Sequence, residues 1–402
     1  MLEDGLLTEF YTDRPAERRL VGSIYKAKIE NVLPGMQAAF VQIGLEKNAY
    51  LYIDDLLPAN LTKVPEVKPS IAELIKPGDE LIVQVSKEPL GTKGARVTTH
   101  FSIPGRWIVY MPNADYVGVS RKIGSEAERT RLKQIAEEIR QPGEGLIIRT
   151  VAEGESSEAL ESDLQFLRGE WNEIMKQGET AKPPAVLYRE PDVLERMVRD
   201  AFNEQVDELV IDDAAKGKAM MELVSSISAD LAGRIRIYRD REPIHQAYKV
   251  REQLEKAMRR KIWLKSGGYL VLDRTEALTV IDVNTGKYTG KDDPEATVFT
   301  TNAEAADEIA RLLRLRDIGG IVLVDFIDME DESHRSEVAA RLTQAFSRDR
   351  TKAFAVGWTK LGLMEITRKK ARESLDDAFM ETCSCCGGSG KVPVGRSSAG
   401  GK

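Results

Sequence analysis

Two short apolar segments, each ending in an aspartate, constrain the fold of this chain more than any other feature. They are Leu278-Thr-Val-Ile-Asp282 and Ile321-Val-Leu-Val-Asp325, and their length and β-branched content predict buried strands. The sequence between them predicts a helix with Asn302 as its N-cap, ending at the glycine pair Gly319 and Gly320. The three elements together form a strand–helix–strand unit.

If the two strands are parallel, the crossover places both strand ends at one edge of a sheet, where ligand sites of such sheets lie. Asp282 and Asp325 would then converge. Two converging carboxylates indicate a hard cation such as Mg²⁺, bound through oxygen and water, and Mg²⁺ implies phosphate chemistry. Asn284 lies two residues after Asp282, on the same side of a continuing strand, where it can contact a phosphate or a metal-bound water.

A structural interpretation of the same residues stays open. Aspartate at the end of a strand is commonly a turn former or a helix cap, and spacing alone favours that role. Asp328 and Glu330 are expected to cap the following helix. The three histidines, His100, His245 and His334, lie far apart in the sequence, so any catalysis is expected to depend on carboxylates.

The composition is that of a globular protein with several domains. The chain has 402 residues, of which 42% are hydrophobic and 31% are charged, and this excludes disordered, collagen-like and membrane proteins. The longest apolar run, residues 320–324, is too short to span a bilayer, and no signal peptide opens the chain. We therefore expect a cytoplasmic protein.

The net charge of −7 argues weakly against a nucleic-acid partner, but local charge decides this question. Residues 245–263 are expected to form a basic helix, because residues 247–265 contain seven Lys or Arg residues and two Glu residues. A solvated helix face and a phosphate-binding face explain this charge equally well.

Residues 19–57 and 80–85 predict short strands with glycines at the turns, which is typical of a small barrel. Phe40 and Tyr50 lie on neighbouring strands and can share one face, and aromatic residues of this kind stack on single-stranded bases. Because the neighbours of Phe40 are apolar, a place in the barrel core is the simpler interpretation of Phe40. A core position is a weaker interpretation for Tyr50. Lys93 lies in a loop where it can meet phosphate.

The next region mixes strands and helices. Helices are predicted at residues 125–140 and 157–176 from their apolar spacing. Beyond them, a strand is predicted at residues 208–211 and a helix at residues 215–227.

All three cysteines lie near the C-terminus, at Cys383, Cys385 and Cys386. The Cys-x-x-Cys pair of Cys383 and Cys386 in glycine-rich surroundings favours a zinc site over inert thiols or a redox pair. Structural zinc needs four ligands, so one chain supplies half of a site and two chains complete it across a dimer axis.

Together these motifs resemble the ribonuclease E/G family, over nearly the whole chain. The segments that carry the resemblance are Gly22-Ser-Ile-Tyr-Lys-Ala-Lys-Ile29, Ala38-Ala-Phe-Val-Gln-Ile-Gly44, Ile148-Arg-Thr150, Ile281-Asp-Val-Asn-Thr-Gly286, Leu313-Arg-Leu-Arg-Asp-Ile-Gly-Gly320, Val324-Asp-Phe-Ile-Asp-Met329 and the Cys-x-x-Cys pair.

The resemblance implies roles for the residues that match these motifs. Asp282 and Asp325 would hold the catalytic Mg²⁺, and Asn284 would assist at the scissile phosphate. Phe40 and Tyr50 match base-stacking aromatics of the family.

Two further sites follow from the same resemblance. Arg149 and Thr150 match the positions that contact a 5′-monophosphate. Cys383 and Cys386 match the zinc link between two protomers of a homodimer.

The implied fold is α/β and multidomain. Residues 1–18 and 198–257 resemble a ribonuclease H-like subdomain, into which an OB-fold RNA-binding barrel and a 5′-sensor domain are inserted at residues 19–101 and 102–197. Residues 258–379 resemble a DNase I-like catalytic subdomain, followed by a zinc-link knuckle at residues 380–390 and a flexible tail at residues 391–402.

Three features depart from the family pattern. The chain begins at Met1-Leu-Glu-Asp-Gly5, as if the first strand of the family were missing. It ends soon after the knuckle, without the small domain that supports tetramers, so a dimer is expected. Ser384 replaces the proline of the zinc link and Cys385 is additional, which leaves the choice of ligand between Cys385 and Cys386 open.

The sequence therefore predicts a magnesium-dependent endoribonuclease that cleaves single-stranded RNA, is stimulated by a 5′-monophosphate and leaves 5′-phosphate and 3′-hydroxyl ends. Its task would be ribosomal RNA processing, messenger RNA decay or both. The alternatives are a non-catalytic single-stranded RNA-binding protein and a deoxyribonuclease. The set of Asp282, Asn284 and Asp325 favours an enzyme, because a protein that only binds RNA has no need of converging carboxylates.

Overall fold

The computed structural model describes residues 1–12, 20–57, 69–89, 93–225, 229–286, 294–370, 372–388 and 390–392. The strands in these residues are β1 (Leu2–Glu3), β2 (Leu6–Leu7), β3 (Ile24–Leu33), β4 (Ala38–Gln42), β5 (Ala49–Tyr52), β6 (Glu80–Lys87), β7 (Arg96–Thr98), β8 (Ile103–Pro104), β9 (Ile108–Met111), β10 (Val117–Val119), β11 (Gly145–Ile148), β12 (Ala185–Tyr188), β13 (Leu209–Ile211), β14 (Ile235–Ile237), β15 (Lys261–Trp263), β16 (Tyr269–Arg274), β17 (Leu278–Asn284), β18 (Gly320–Asp325), β19 (Ala353–Trp358) and β20 (Met364–Arg368). The helices are α1 (Ile71–Leu74), α2 (Glu126–Ile139), α3 (Ser157–Thr180), α4 (Val193–Ala201), α5 (Ala214–Ser225), α6 (Ala229–Gly233), α7 (Ile244–Ala247), α8 (Val250–Ala257), α9 (Pro294–Leu315), α10 (Glu332–Ser347) and α11 (Leu375–Phe379).

The chain forms two compact units. The first unit combines Met1–Tyr11 with Arg239–Lys402, and the second is Thr12–Tyr238. Among the helices described, none combines the length and the hydropathy that a membrane-spanning segment requires. Loop residues 91 and 92, the end of the helix predicted at residues 215–227 and most of the predicted tail lie outside the described residues.

Five strands of the second unit close into a barrel in the order β3-β4-β5-β7-β6, with β6 pairing back to β3. In β3 the buried residues Tyr25, Ala27 and Ile29 alternate with Lys26 and Lys28, which is the pattern of a strand with one face in a core. The closed five-strand barrel confirms the prediction of a small barrel and is consistent with an OB-fold. Strand β12 joins the sheet on β3.

A second sheet of this unit has the order β10-β11-β9-β8 and shares a core with helices α2 and α3. Helix α2 begins where the sequence predicts, because the Ser125 hydroxyl accepts a hydrogen bond from the Glu128 N–H and caps the helix. Helix α3 continues to Thr180, one turn beyond its predicted end. The parallel pair β13 and β14 packs with α4, α5 and α6 around a separate core.

The first unit is built on a six-stranded sheet in the order β15-β16-β17-β18-β20-β19. One face of the sheet is buried against α9 and α10, through residues such as Ile281, Val322, Val324 and Leu342. The opposite face, here called the open face, carries the alternate residues of each strand, of which Asp282 on β17 and Phe354 on β19 are exposed.

The first eleven residues belong to the core of this sheet unit. Leu7 is buried among its aliphatic side chains, and the Arg314 guanidinium donates to the carboxylates of Glu3 and Glu9. The pKa of Glu9 is lowered, because the hydrogen bonds from Tyr11 and Arg314 and the charge of Arg314 outweigh burial, which alone raises it.

The prediction of one basic helix at residues 245–263 is wrong. Lys249 adopts a left-handed backbone with φ of 52°, which separates the short helices α7 and α8. Residues 261–263 form strand β15 instead, because Ile262 is buried while its two neighbours are exposed, a period of two and not of 3.6.

Candidate active site

The two strands that end in aspartate are parallel neighbours, as the strand–helix–strand pattern predicts. Asp282 and Asp325 are direct Cα partners at the last paired position of β17 and β18, so their backbones are one strand spacing apart, about 4.8 Å. Both side chains are exposed, whereas Ile281 and Val324, one residue earlier, are buried. The alternation of the strands therefore places both carboxylates on the open face of the sheet.

Asn284 also lies on the open face, two residues beyond Asp282. Its side-chain Nδ2 donates a hydrogen bond of 2.8 Å to Asp282 Oδ2. This bond fixes the direction of the Asp282 carboxylate, and it leaves the other carboxylate oxygen for a second partner.

Among the residues that the structure describes, basic side chains do not balance the charge of this pair. In the part of the chain that the structure describes, no Lys or Arg forms an ion pair with Asp282 or Asp325, whereas Asp273, on the next strand, pairs with Arg260 at 2.5 Å. Two unpaired carboxylates at this spacing fit a hard divalent cation. No group of three or more His, Cys, Asp or Glu residues arranged for a metal occurs in the described residues, so most of the ligands of such a cation would be water.

The prediction that Asn302 caps the intervening helix is wrong, and the structure gives this residue another task. Helix α9 begins at Pro294, a residue type favoured in the first helical position, and Asn302 lies buried in its middle. The Asn302 carboxamide donates to the Ile327 carbonyl at 2.8 Å and accepts from the Ile327 N–H at 3.1 Å. It therefore holds the backbone two residues beyond Asp325.

Asn302 is a positioning residue that the sequence interpretation missed. The sequence did contain a signal for this role. Asn302 shares one face of the helix with the apolar side chains of Ala306, Ile309 and Leu313. A polar residue in such an apolar stripe needs a hydrogen-bond partner in the core. The helix also ends earlier than Gly319, since it terminates at Leu315 and Asp317 turns the chain with a φ of 51°.

The prediction that Asp328 and Glu330 cap the following helix is wrong. The N-cap of α10 is Asp331, whose carboxylate accepts from the Ser333 N–H at 2.8 Å. Asp328 and Glu330 are exposed.

The barrel places the predicted base-stacking residues side by side. Phe40 and Tyr50 are Cα partners on β4 and β5, and their rings meet edge to face with centroids 6.3 Å apart. Phe40 is half-buried and lies outside the barrel core, which corrects the core interpretation, because its neighbours Ala39 and Val41 fill the interior instead. Arg96 on β7 is the next residue in the row, opposite Tyr50.

Lys93 is exposed and lies close to the start of β5. Its position next to β5 follows from the close approach of Gly94 to Asn48, where a Cβ atom on Gly94 would lie 2.0 Å from the Asn48 carbonyl oxygen. Only glycine allows this approach. Lys93 therefore lies near the same end of β5 that carries Tyr50.

Arg149 and Thr150 follow strand β11, and both already have partners within the protein. The Arg149 guanidinium donates to the Gly105 carbonyl and pairs with Asp200 at 2.7 Å, and the hydroxyls of Thr150 and Ser120 are 2.7 Å apart. Burial raises the pKa of Asp200, but hydrogen bonds and charges from Arg199 and Arg149 outweigh it, so that the pKa is lowered overall. The sequence interpretation had not identified Asp200.

Cys383, Cys385 and Cys386 lie together in a turn, and none of them forms a disulfide. The turn is closed by a hydrogen bond of 2.8 Å from the Gly387 N–H to the Cys383 carbonyl. The backbone N–H groups of Cys386 and Cys385 lower the pKa of the Cys383 thiol. This favours the thiolate form, which is the form that binds metal.

Comparison with known proteins identifies the relatives of this chain. The profile of the ribonuclease E/G family matches residues 102–371. Ribonuclease G of Escherichia coli (strain K12) is 42% identical over 396 residues, which cover 97% of this chain and 81% of that protein. Ribonuclease G of Haemophilus influenzae is 42% identical over 398 residues, with 98% and 81% covered. Ribonuclease E of Nostoc sp. is 40% identical over 374 residues, or 92% of this chain and 54% of that protein.

Proposed function

Because this chain belongs to the ribonuclease E/G family, we propose that it is a magnesium-dependent endoribonuclease that cleaves single-stranded RNA. The observation that carries this proposal is the pairing of Asp282 with Asp325 on the open face, with no basic partner in the described residues. A protein that only binds RNA gains nothing from two adjacent uncompensated carboxylates.

The residues of the site have separate tasks in this reaction. Asp282 and Asp325 would hold Mg²⁺, which would activate water and stabilise the negative charge that develops on the phosphoryl oxygens. Asn284 orients Asp282 through their hydrogen bond, and Asn302 holds the chain that follows Asp325. In-line attack by water breaks the bond from phosphorus to the 3′-oxygen, so the products carry 5′-phosphate and 3′-hydroxyl ends.

The barrel would supply the affinity for single strands. The exposed parts of the Phe40 and Tyr50 rings offer stacking surfaces, and stacking contributes about 1–3 kcal/mol per base with little sequence preference. Lys93 adds a positive charge near Tyr50 for the backbone phosphates. These features favour single-stranded RNA as the substrate.

Arg149 and Thr150 would recognise a 5′-monophosphate. A guanidinium binds phosphate through two charge-assisted hydrogen bonds, and the Thr150 hydroxyl can add a third. In this proposal the terminal phosphate takes the place of Asp200 as the partner of Arg149. Cleavage would thereby be stimulated by the 5′ end.

The domain assignment of the family is extended to this chain in the same proposal. Residues 1–18 with 198–257 would form the ribonuclease H-like subdomain, 19–101 the RNA-binding barrel, 102–197 the 5′-sensor domain and 258–379 the DNase I-like catalytic subdomain. Cys383, with Cys386 or Cys385, would bind a zinc ion shared by two protomers. The protein would act in the cytoplasm, in ribosomal RNA processing, messenger RNA decay or both.

The direct test is cleavage of a 5′-monophosphorylated single-stranded RNA with Mg²⁺ and with a chelator, alongside a DNA of the same sequence. We expect internal cleavage of the RNA only when Mg²⁺ is present, with phosphate on the new 5′ ends. RNA binding without cleavage would establish the non-catalytic alternative, and equal cleavage of DNA would establish a deoxyribonuclease.

A further inference from the structure

Three side chains on the open face form a compact group of two aromatic rings and one cation, here called the Trp263 cluster. It consists of Lys261 and Trp263 on β15 and Tyr269 on β16. The Lys261 Nζ lies 3.5 Å from the centroid of the Tyr269 ring and 4.4 Å from that of Trp263. The two rings meet edge to face with centroids 5.3 Å apart.

The strand register places this cluster beside the carboxylates. Trp263 pairs with Tyr269, and Tyr269 pairs with Asn284, so that the three residues form one row across the sheet. The next row contains Lys261, Val271, Asp282 and Asp325. Two strand spacings separate Asp282 from β15, about 10 Å, which is within reach of an adjoining nucleotide.

Lys261 and Trp263 are exposed and Tyr269 is half-buried, although large aromatic side chains are usually buried. Trp263 is 57% exposed, and Lys261 forms no ion pair within the described part of the chain. An exposed indole ring, backed by a half-buried tyrosine ring and beside a lysine, has the chemistry of a stacking surface for a base with a neighbouring phosphate.

The hairpin that carries the cluster is held firmly against the site. The Glu304 carboxylate on α9 accepts from the N–H groups of Lys265 and Ser266 in its turn. A Cβ atom on Gly268 would lie 2.8 Å from the Asn284 carbonyl oxygen, so the turn and the end of β17 are in close contact. The distance from Trp263 to Asp282 is therefore fixed by the fold.

We propose that the Trp263 cluster binds a nucleotide next to the scissile phosphate, with Trp263 stacking on the base and Lys261 contacting the phosphate. The inference rests on the proposed function, since it names the part of the RNA that this face of the catalytic sheet receives. Stacking on the barrel would bind RNA with little sequence preference. A base held at the Trp263 cluster would in addition determine which phosphate lies at Asp282 and Asp325. Trp263 and Lys261 are thus substrate-positioning residues.

The test compares Trp263→Ala, Trp263→Phe and Lys261→Ala with the wild-type enzyme on one RNA that has a single cleavage site. A set of the same RNA with one abasic ribose, at each of the two positions on either side of the cleaved bond, reports which base is held. Phe354→Ala is the matched control, because Phe354 is 60% exposed on the same face but lies on the edge strand β19, at the far side of the sheet.

We expect Trp263→Ala to lower kcat/KM by about 5- to 150-fold, the range that loss of one stacked base implies. Trp263→Phe retains a ring and should recover most of the rate, and Phe354→Ala should match the wild type. One abasic substrate should be cleaved slowly by the wild-type enzyme, with no additional loss in Trp263→Ala. Lys261→Ala should lower the dependence of RNA binding on salt, measured in an Asp282→Asn background that cannot cleave.

Two results would overturn the inference without touching the proposed function. One is a wild-type enzyme that cleaves RNA while Trp263→Ala is as active as Phe354→Ala. The other is a Trp263→Ala enzyme that loses the same factor on intact and on every abasic RNA, which would assign Trp263 to the stability of the hairpin. Failure of the wild-type enzyme itself to cleave RNA in Mg²⁺ would instead reject the proposed function.

Discussion

Asp282 and Asp325 face solvent side by side, whereas several other aspartates of the same unit are held by arginines. Asp273 pairs with Arg260, and both Asp317 and Asp349 pair with Arg368. Each of these paired aspartates has an arginine at hydrogen-bond distance, whereas among the described residues no Lys or Arg forms an ion pair with Asp282 or Asp325. This contrast between residues of one type supports the proposal of a metal site at Asp282 and Asp325.

Asn302→Ala should loosen the chain after Asp325. The substitution removes both hydrogen bonds to the partly buried Ile327, and the loss of these partners costs about 1–3 kcal/mol. We expect faster amide hydrogen exchange at Ile327 and a fall in kcat on the order of 10- to 100-fold, as misplaced catalytic groups cause. Thr300→Ala is the control, because the Thr300 hydroxyl donates to the Ala296 carbonyl, within α9. Unchanged exchange at Ile327 would show that Asn302 has no positioning role.

Arg149→Ala should affect RNA substrates according to their 5′ end. If Arg149 binds a terminal phosphate, cleavage of 5′-monophosphorylated RNA slows while cleavage of 5′-hydroxyl RNA stays nearly the same. Arg131→Ala, which removes a guanidinium paired with Glu128 in the same unit, should change neither rate. Equal losses on both substrates would mean that the pair of Arg149 and Asp200 only supports the fold.

At the scale of the elements, local patterns predicted most of the architecture. The strands of the barrel, the start of α2 and the two apolar strands that carry Asp282 and Asp325 agree with the sequence predictions, because each depends on neighbours in sequence. Two of the wrong predictions concern a charged segment and a polar residue that both lie in helix-like sequence. Residues 261–263 follow a basic helical sequence and begin with Lys261, but the burial of Ile262 in the sheet decides their conformation. Asn302 is of a residue type that favours helix N-caps, and only its hydrogen bonds to Ile327 show that it has another role.

A substitution at the end of the sheet opposite Asp325 can show whether the stability of the sheet is separate from catalysis. Arg368 is buried and binds Asp317 and Asp349 at 2.6 and 2.7 Å, and it pairs with Gly320 at the start of β18, opposite the end that carries Asp325. Arg368→Met would remove the arginine partner of the buried Asp349 and would leave the buried Asp317 paired with Arg372 at 2.7 Å. Removing one partner of a buried ion pair costs about 3–5 kcal/mol. We expect a matching loss in denaturant unfolding, with kcat of the remaining folded enzyme little changed. A stability equal to that of the wild type would contradict the account of this network.

At the scale of the whole molecule, the chain folds back on itself, since residues 1–11 join a sheet unit formed by residues after 238. No local pattern in the sequence predicts such a contact, because it joins segments more than two hundred residues apart. Only the family resemblance pointed to a split subdomain. The placement of Leu7 in the core of the sheet unit shows the contact directly.

The shared zinc site belongs to the same scale, because it requires two copies of the chain. We expect one zinc ion per two chains and a dimer that loosens when a chelator removes the metal, since structural zinc contributes on the order of 10 kcal/mol. Cys383→Ala should weaken the dimer in the same way. Cys385→Ala and Cys386→Ala, compared side by side, identify the second ligand. One zinc ion per chain, or a dimer unaffected by Cys383→Ala, would reject the shared site.

The most direct test of the central claim separates RNA cleavage from RNA binding in variants of the two aspartates. Asp282→Asn and Asp325→Asn remove charge from the metal site, and metal stabilisation of several kcal/mol predicts a fall in cleavage rate on the order of 1,000-fold or more. Asp273→Asn is the matched control, because Asp273 lies on the neighbouring strand and is neutralised by Arg260.

The measurement is the single-turnover cleavage rate in Mg²⁺, with the Kd for the same RNA determined in parallel. The account predicts that Asp282→Asn and Asp325→Asn bind RNA nearly as the wild type does but do not cleave it, while Asp273→Asn cleaves normally. Near-normal cleavage by either of the first two variants would contradict it.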